Sequence, residues 1–108
     1  MPKSTEPRYL YLTTTGRRTG LPREIEIWFT RRDGRYYVIA EQREHAHWVR
    51  NIRADTRVTV RVGRARFRAR SRVLNARREP SRYRAVQELS RQKYGWGDGL
   101  PVELKPQP

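Results

Sequence analysis

Residues 58–74 read "VTVRVGRARFRARSRVL", with arginine at 64, 66, 68, 70 and 72, every second position. Successive side chains of a β-strand point to opposite faces. The five arginines therefore share one face, and Ala65, Phe67, Ala69, Ser71 and Val73 share the other. Before the glycine, Val58, Val60 and Val62 alternate with Thr59 and Arg61. Two alternating runs around Gly63-Arg64 predict a β-hairpin. A helix would put Arg64 and Arg66 on nearly opposite sides, and a flexible basic arm would lack an apolar partner face. The expectation is two antiparallel strands with the apolar face inward. The arginines then face solvent, paired with Glu24 and Glu26.

The bulk properties bound what surrounds this hairpin. A chain of 108 residues is one domain, and at this size it buries roughly two-thirds of its unfolded surface. There is no cysteine, so disulfides, thiol nucleophiles and cysteine-ligated metals are excluded. That usage suits a cytoplasmic protein. No apolar run approaches the ~20 residues of a membrane span, and no apolar signal-peptide core stands near the start. The formal net charge is +14, and 22 of the 25 basic residues are arginine, with lysine only at 3, 93 and 105. Such a charge raises the prospect of a polyanionic partner. An arginine bias also follows from genome composition or growth temperature. An anionic small ligand is favoured over specific nucleic acid, because arginine forms bidentate pairs with carboxylates and phosphates.

Residues 1–7 read as a disordered lead-in, 8–105 as a single domain and 106–108 as a tail. "RYLYLTTT" is a strand, "GRRTGLP" a turn and "REIEIWFT" a second strand with alternating Ile25, Ile27 and Phe29. Asp33-Gly34 is a hairpin-turn signal, and "YYVIA" is the third strand. The period then changes. In "EHAHWVRNIRAD", Ala46, Val49, Ile52 and Arg53 recur at helical spacing beside Trp48, giving a helix of about ten residues. After the arginine hairpin, "EPSRYRAVQELSRQKYG" is a second helix, with Ser81 as N-cap and Gly95 as terminator. Its inward face is marked by Tyr83, Val86, Leu89, Gln92 and Lys93. "LPVEL" is the last strand. The predicted fold is mainly β (α+β), a barrel of about six antiparallel strands with two helices.

The catalytic inventory is thin. His45 and His47 are the only histidines. Two apart on a helix, they point too far from each other to chelate one ion. In an extended segment they would share a face with Glu41 or Glu44 nearby, but exposed polar residues near a helix start are the favoured reading and no metal is expected. No nucleophile-elbow pattern appears, and the carboxylates form no recognisable acid/base pair. The dense stretch is "TTTGRRTGLPR", 13–23. Hydroxyls, two glycines and guanidinium forks together suit an anion such as phosphate. An ordinary turn with exposed arginines has the same composition. This is no Walker A loop, because the Gly-Lys-Ser/Thr end is missing.

"LTTTGRRTGLPREIEIWF" followed by "HAHWVRNIRADTRVTVRVG" resembles the deazaflavin (F420)-dependent nitroreductase and quinone reductase family. Thr14, Gly16, Arg17, Arg18, Thr19, Gly20 and Arg23 match the first family motif. Trp48, Asn51, Ile52, Ala54, Val58 and Val60 match the second. The likeness covers roughly residues 9–104. In two places the chain departs from the pattern: the family's lysine- and glycine-rich loop is shortened to "EQREHAH", and Asp55-Thr56 replaces Asn-Pro.

The resemblance implies an FMN-binding split-barrel-like fold and hydride transfer from reduced F420, with FMN as alternative coenzyme, to a quinone or nitroaromatic. It implies that Thr14, Thr15, Gly16, Arg17, Arg18, Thr19, Arg23, Trp48 and Asn51 hold the coenzyme. Within that set Arg18, Thr19 and Arg23 clamp its phosphate or acidic tail. Ala40, Glu41 and Gln42 line its ring. Trp28, Tyr94 and Trp96 are the candidates for the acceptor pocket. The expected partner is a small-molecule acceptor, and a homodimer stays open. The rival reading is a non-catalytic split barrel that holds a flavin, a lipid or nucleic acid.

Overall fold

Phe29 is where the expected second strand breaks. The computed structural model describes residues 6–108. In it β2 (Pro22–Trp28) stops at Phe29 and a short β3 (Thr30–Arg32) follows. The Phe29 N–H donates to Tyr94 Oη at 3.0 Å, and its carbonyl accepts from Lys93 Nζ at 2.9 Å. Both backbone groups are thus taken by the end of a helix rather than by a neighbouring strand. Spacing cannot show such a diversion, and it raises the strand count to seven.

The remaining elements are β1 (Tyr9–Thr15), β4 (Arg35–Ala40), α1 (His47–Ala54), β5 (Arg57–Val62), β6 (Ala65–Val73), α2 (Pro80–Tyr94) and β7 (Leu100–Pro106). All paired strands are antiparallel, in the order β2-β1-β5-β6-β7-β4-β3. The curled sheet is a split barrel with two helices. Asp33 and Gly34 have φ of 54° and 76°, the double positive φ of a type I′ hairpin turn between β3 and β4.

The alternating strands behave as their period demands. Leu10, Leu12, Val58, Val60 and Val62 fill the barrel interior with Val38, Val102 and Leu104, and Ile52 of α1 closes one end. Each such fully buried Val or Leu contributes about 1.5–3 kcal/mol. "YYVIA" does not alternate, because β4 is buried on both sides. Tyr36 and Val38 face the interior, while Tyr37 and Ile39 pack under α2 with Leu74 and Val86. A strand covered on both faces reads as a continuous apolar run.

Several boundaries move for local reasons. α1 has eight residues and is preceded by a 3₁₀ turn at Arg43–His45. Arg53 lies outside the buried face and pairs with Glu44 at 2.6 Å. α2 starts at Pro80, ahead of the expected Ser81 cap, since proline's fixed φ suits a first helical position. Glu79 before it has its carboxylate on Arg72 at 2.6 Å. Gly95, at φ 81°, ends α2 in the left-handed conformation as expected. On the inward face of α2, Ser90 is buried while Gln92 is exposed. The lead-in expected over 1–7 lies mostly outside the described residues, but Glu6 is ion-paired to Lys93. β7 ends at Pro106, and Gln107 N donates to Arg68 O at 2.9 Å.

The arginines of β6 do not pair with Glu24 and Glu26. β1 and β5 stand between β2 and β6. Glu24 lies 3.6 Å from Arg61 of β5, and Glu26 accepts from Tyr11 Oη at 2.7 Å. Arg72 alone of the five reaches carboxylates, those of Glu79 and Glu103.

Glu103 of β7 is 3% exposed, between the sheet and α2. Its carboxylate accepts from Tyr37 Oη at 3.0 Å, Arg35 at 3.1 Å and Arg82 at 2.9 Å. Burial disfavours its charge, but the Tyr37 and Arg35 hydrogen bonds and the arginine field outweigh that, so its pKa lies below 4.5. A lowered folded-state pKa adds stability above the unfolded value of 4.5, and that stability is lost as pH falls through the folded value. Glu103→Gln should therefore lose about 1–3 kcal/mol at pH 7, the range for a buried charged hydrogen-bond partner. Urea titrations should also show stability falling less steeply below pH 4.5 than in the parent chain. Equal slopes would place the acid sensitivity elsewhere.

Candidate functional site

The loop joining β1 to β2 is shaped by two glycines. Gly16 N donates to Leu21 O, and Gly20 N donates to Gly16 O, both at 2.8 Å. Gly20 adopts φ +73°. A Cβ at Gly16 would lie 2.9 Å from Thr19 Oγ1. That hydroxyl accepts from Leu21 N at 3.2 Å and fixes the crest of the loop.

Asn51 ties this loop to α1. Its side chain is 4% exposed. Nδ2 donates to Thr14 Oγ1 at 3.0 Å, and Oδ1 accepts from Arg17 N at 3.2 Å and from Arg17 Nη1 at 2.8 Å. Arg17 Nη2 lies 3.3 Å from His47 Nδ1, and Nη1 donates to the His47 carbonyl at 3.4 Å. Arg17 is therefore committed to the protein. The side chains of Arg18 and Arg23 are exposed and, among the described residues, make no hydrogen bond or ion pair.

Two hollows meet here. A cradle of about 360 Å³ is bordered by Thr14, Gly16, Arg17, Arg18, Thr19, Arg23 and Asn51. A groove of about 830 Å³ runs on from it past Ile27, Trp28, Glu41, Gln42 and Trp96. Ile25, His47 and Trp48 wall both. Most of the residues singled out by sequence thus gather around one continuous depression. Thr15 faces a separate cup of about 530 Å³ on the other side of the loop. Ala40 is 1% exposed and packs with Val49 and Leu100 behind the groove.

Tyr94 is not on the groove wall. Its ring stacks on Trp28 at 4.5 Å with planes 4° apart, and Arg8 lies 5.6 Å from both rings. Its hydroxyl accepts from Phe29 N and lies 2.7 Å from Arg8 O and 2.8 Å from Phe29 O. It pins the strand break, while Trp28 and Trp96 reach the groove. Tyr37 also borders the groove. Burial and its hydrogen bond to Glu103 hold its pKa above 10.0, so it keeps its proton at neutral pH. Among the described residues no three His, Asp or Glu side chains gather as metal ligands, and no helix is long and apolar enough to cross a membrane.

Sequence reasoning did not single out His47 or Ile25 as site residues. Both had a legible signal. His47 lies one turn before Asn51, on the same helix face. Ile25 shares its strand face with Ile27, and that face forms the floor of the groove.

Residues 3–102 match the family described as F420H(2)-dependent quinone reductase. No curated protein matches in sequence. Among solved structures, an F420-H2 dependent reductase (FDR-A) superimposes with TM-score 0.75 at 20% identity, covering 91% of this chain and 94% of that one. The heme storage protein HutZ from Vibrio cholerae gives TM-score 0.77 at 16% identity, with 94% and 83% covered. A FAD-binding protein from Mesorhizobium loti gives 0.74 at 14%, with 94% and 82% covered. At these identities the structures share the fold.

Removing the Asn51 side chain should loosen the loop. Asn51→Ala leaves Thr14 Oγ1 buried without its donor and frees Arg17, at a cost of about 1–3 kcal/mol in urea unfolding. Asn51→Asp should cost less, because a carboxylate still accepts from Arg17 and the Thr14 hydroxyl can turn to donate. Equal losses for the two variants would contradict the clamp.

Proposed function

The chain belongs to the F420H(2)-dependent quinone reductase family, and from that premise we propose that it passes hydride from the reduced deazaflavin coenzyme F420 to a quinone or a comparably electron-poor acceptor. The observation that carries this reading is the junction of the two hollows. An arginine-edged cradle opens into a larger, mainly apolar groove, and three side chains wall both. A coenzyme with a flat aromatic ring at one end and an anionic tail at the other calls for that pairing.

In this reading Arg18 and Arg23, the two loop arginines without protein partners, hold the phosphate and acidic tail. Thr19, and the close backbone approach that Gly16 permits, complete the cradle. Glu41, Gln42 and Trp48 border the ring, and Trp28 and Trp96 stand at the acceptor's side. The coenzyme, when bound, supplies the hydride, which no amino-acid side chain can provide. The chain supplies position and shelter from water. Arg17 and Asn51 act one step back, fixing the loop that carries Arg18.

Quinone reduction also takes up a proton. A guanidinium only donates, so in its contact with Arg17 Nη2 at 3.3 Å His47 Nδ1 acts as the acceptor and Nε2 is the nitrogen left to donate. His47 thus holds a donor at the wall shared by cradle and groove. Tyr37 is committed to Glu103. FMN is the second reading, favoured by the fold neighbour described as FAD-binding.

Parallel titrations with F420 and FMN should show tighter binding of F420, and equal or tighter FMN binding would overturn that assignment. Arg18→Ala or Arg23→Ala should each weaken F420 binding by roughly tenfold or more, since a charge-assisted hydrogen bond contributes about 1.5–3 kcal/mol. Their melting temperatures should stay near the parent's, because both side chains are exposed. Unchanged affinity in both variants would remove these arginines from the site. Turnover is read as loss of reduced F420 on adding a soluble naphthoquinone.

A further inference from the structure

The outer face of β5, β6 and β7 carries charge that the fold does not neutralise. The β-ladder sets Arg61 opposite Arg66, Arg57 opposite Arg70, and Arg70 opposite Lys105. Like charges directly opposite across strands are destabilising. Successive same-face arginines on β6 stand about 6.7 Å apart, two strand residues, within the ~8 Å screening length of physiological salt. Most carboxylates gather elsewhere: Glu79 and Glu103 under α2, Glu44 on Arg53, Asp98 on Arg91. Asp55 borders the cup beside Arg68 and Arg70, where Arg70 adds to Arg57 in lowering its pKa. Arg57 has Asp55 and Arg61 has Glu24. Among the described residues, Arg64, Arg66, Arg68 and Arg70 form no ion pair. Repulsion of this kind is relieved by an anionic partner outside the chain.

A second feature adjoins the row. Leu21 is 55% exposed at the crest of the β1–β2 loop. Its neighbours Gly20 and Pro22 border the 530 Å³ cup together with Arg68 and Arg70. One exposed large apolar residue therefore stands in the chain between two residues that border the cationic end of the sheet. Within β5, β6 and β7 the single aromatic, Phe67, packs inward, and on neighbouring β1 Tyr11 has Arg61 4.0 Å over its ring and its hydroxyl on Glu26. Single-stranded nucleic acid is held by stacking as well as charge. A basic array with an exposed apolar residue beside it suits a bilayer, where headgroups move to meet the charges and the apolar side chain enters the interface.

We propose that the Arg64–Arg70 face and Leu21 form a docking surface for anionic lipid bilayers. This stands on surface charge and exposure and does not depend on the coenzyme reading. The cup beside this face and the Arg18–Arg23 cradle are distinct hollows that share only Thr14 among their lining residues.

The test is flotation of the purified chain with vesicles of phosphatidylcholine alone or with about 30% phosphatidylglycerol, at about 0.15 M salt. Binding is expected only with the anionic lipid and should weaken as salt rises. Arg68→Ser with Arg70→Ser should lower the partition coefficient roughly tenfold or more, and Leu21→Ser should lower it several-fold. F420 titrations of the same variants should match the parent, which separates this idea from the reductase reading and confirms folding. No binding by the parent to anionic vesicles at that salt would overturn the proposal. So would tighter binding to single-stranded or duplex DNA oligonucleotides than to vesicles, measured by anisotropy in the same buffer.

Discussion

The side chain of Asn51 holds the site together. It is buried, so each of its polar atoms needs a partner, and it finds them on a strand and on a loop. Thr14 of β1 and Arg17 of the β1–β2 loop meet on one amide of α1. Through that amide a flexible, glycine-containing turn takes a fixed position against a helix. The turn then presents Arg18 outward rather than folding back on itself. His47, on the same face of α1, touches the guanidinium that the amide holds.

The sheet supports this arrangement through its doubly buried half. β4 and β7 carry apolar side chains toward both the barrel and α2, and Glu103 is their buried charged exception. Three arginines and a tyrosine converge on its carboxylate. A buried charge with that many partners locks the register of β7 against β4 and places α2 over both. The end of α2 then reaches Phe29 through Lys93 and Tyr94. The bend at Phe29 sets Trp28 and Ile27 along the groove. The groove thus depends on a strand break enforced from the far end of the chain.

Charge is partitioned in the same way. The few carboxylates are drawn to sites where folding needs them, at Glu103, Glu79, Asp55 and Glu44. The many arginines are left over, on the outer face of β6 and at the rim of the cradle. One set of cations is thereby available for a small anion and another for an extended surface, with the β1–β2 loop between them.

Period and punctuation alone determined much. The alternation over 58–74 fixed the hairpin and which side of it faces solvent, because side chains in a strand have only two directions. Asp33-Gly34 and Gly95 marked a turn and a helix end, because only residues tolerant of positive φ sit there comfortably. The cluster "TTTGRRTGLPR" pointed to the β1–β2 loop, although its composition also suits an ordinary turn with exposed arginines. Only tertiary structure decided the rest. It split β2 at Phe29, since the hydrogen bonds responsible come from residues more than sixty positions away. It set Tyr94 against Trp28 and Phe29 as a brace, and it set Arg17, one of the residues expected to hold the coenzyme, on Asn51, because a side chain's partner depends on which element folds beside it. It kept Glu24 and Glu26 away from the β6 arginines, because strand order is a property of the whole sheet and not of any one strand's pattern.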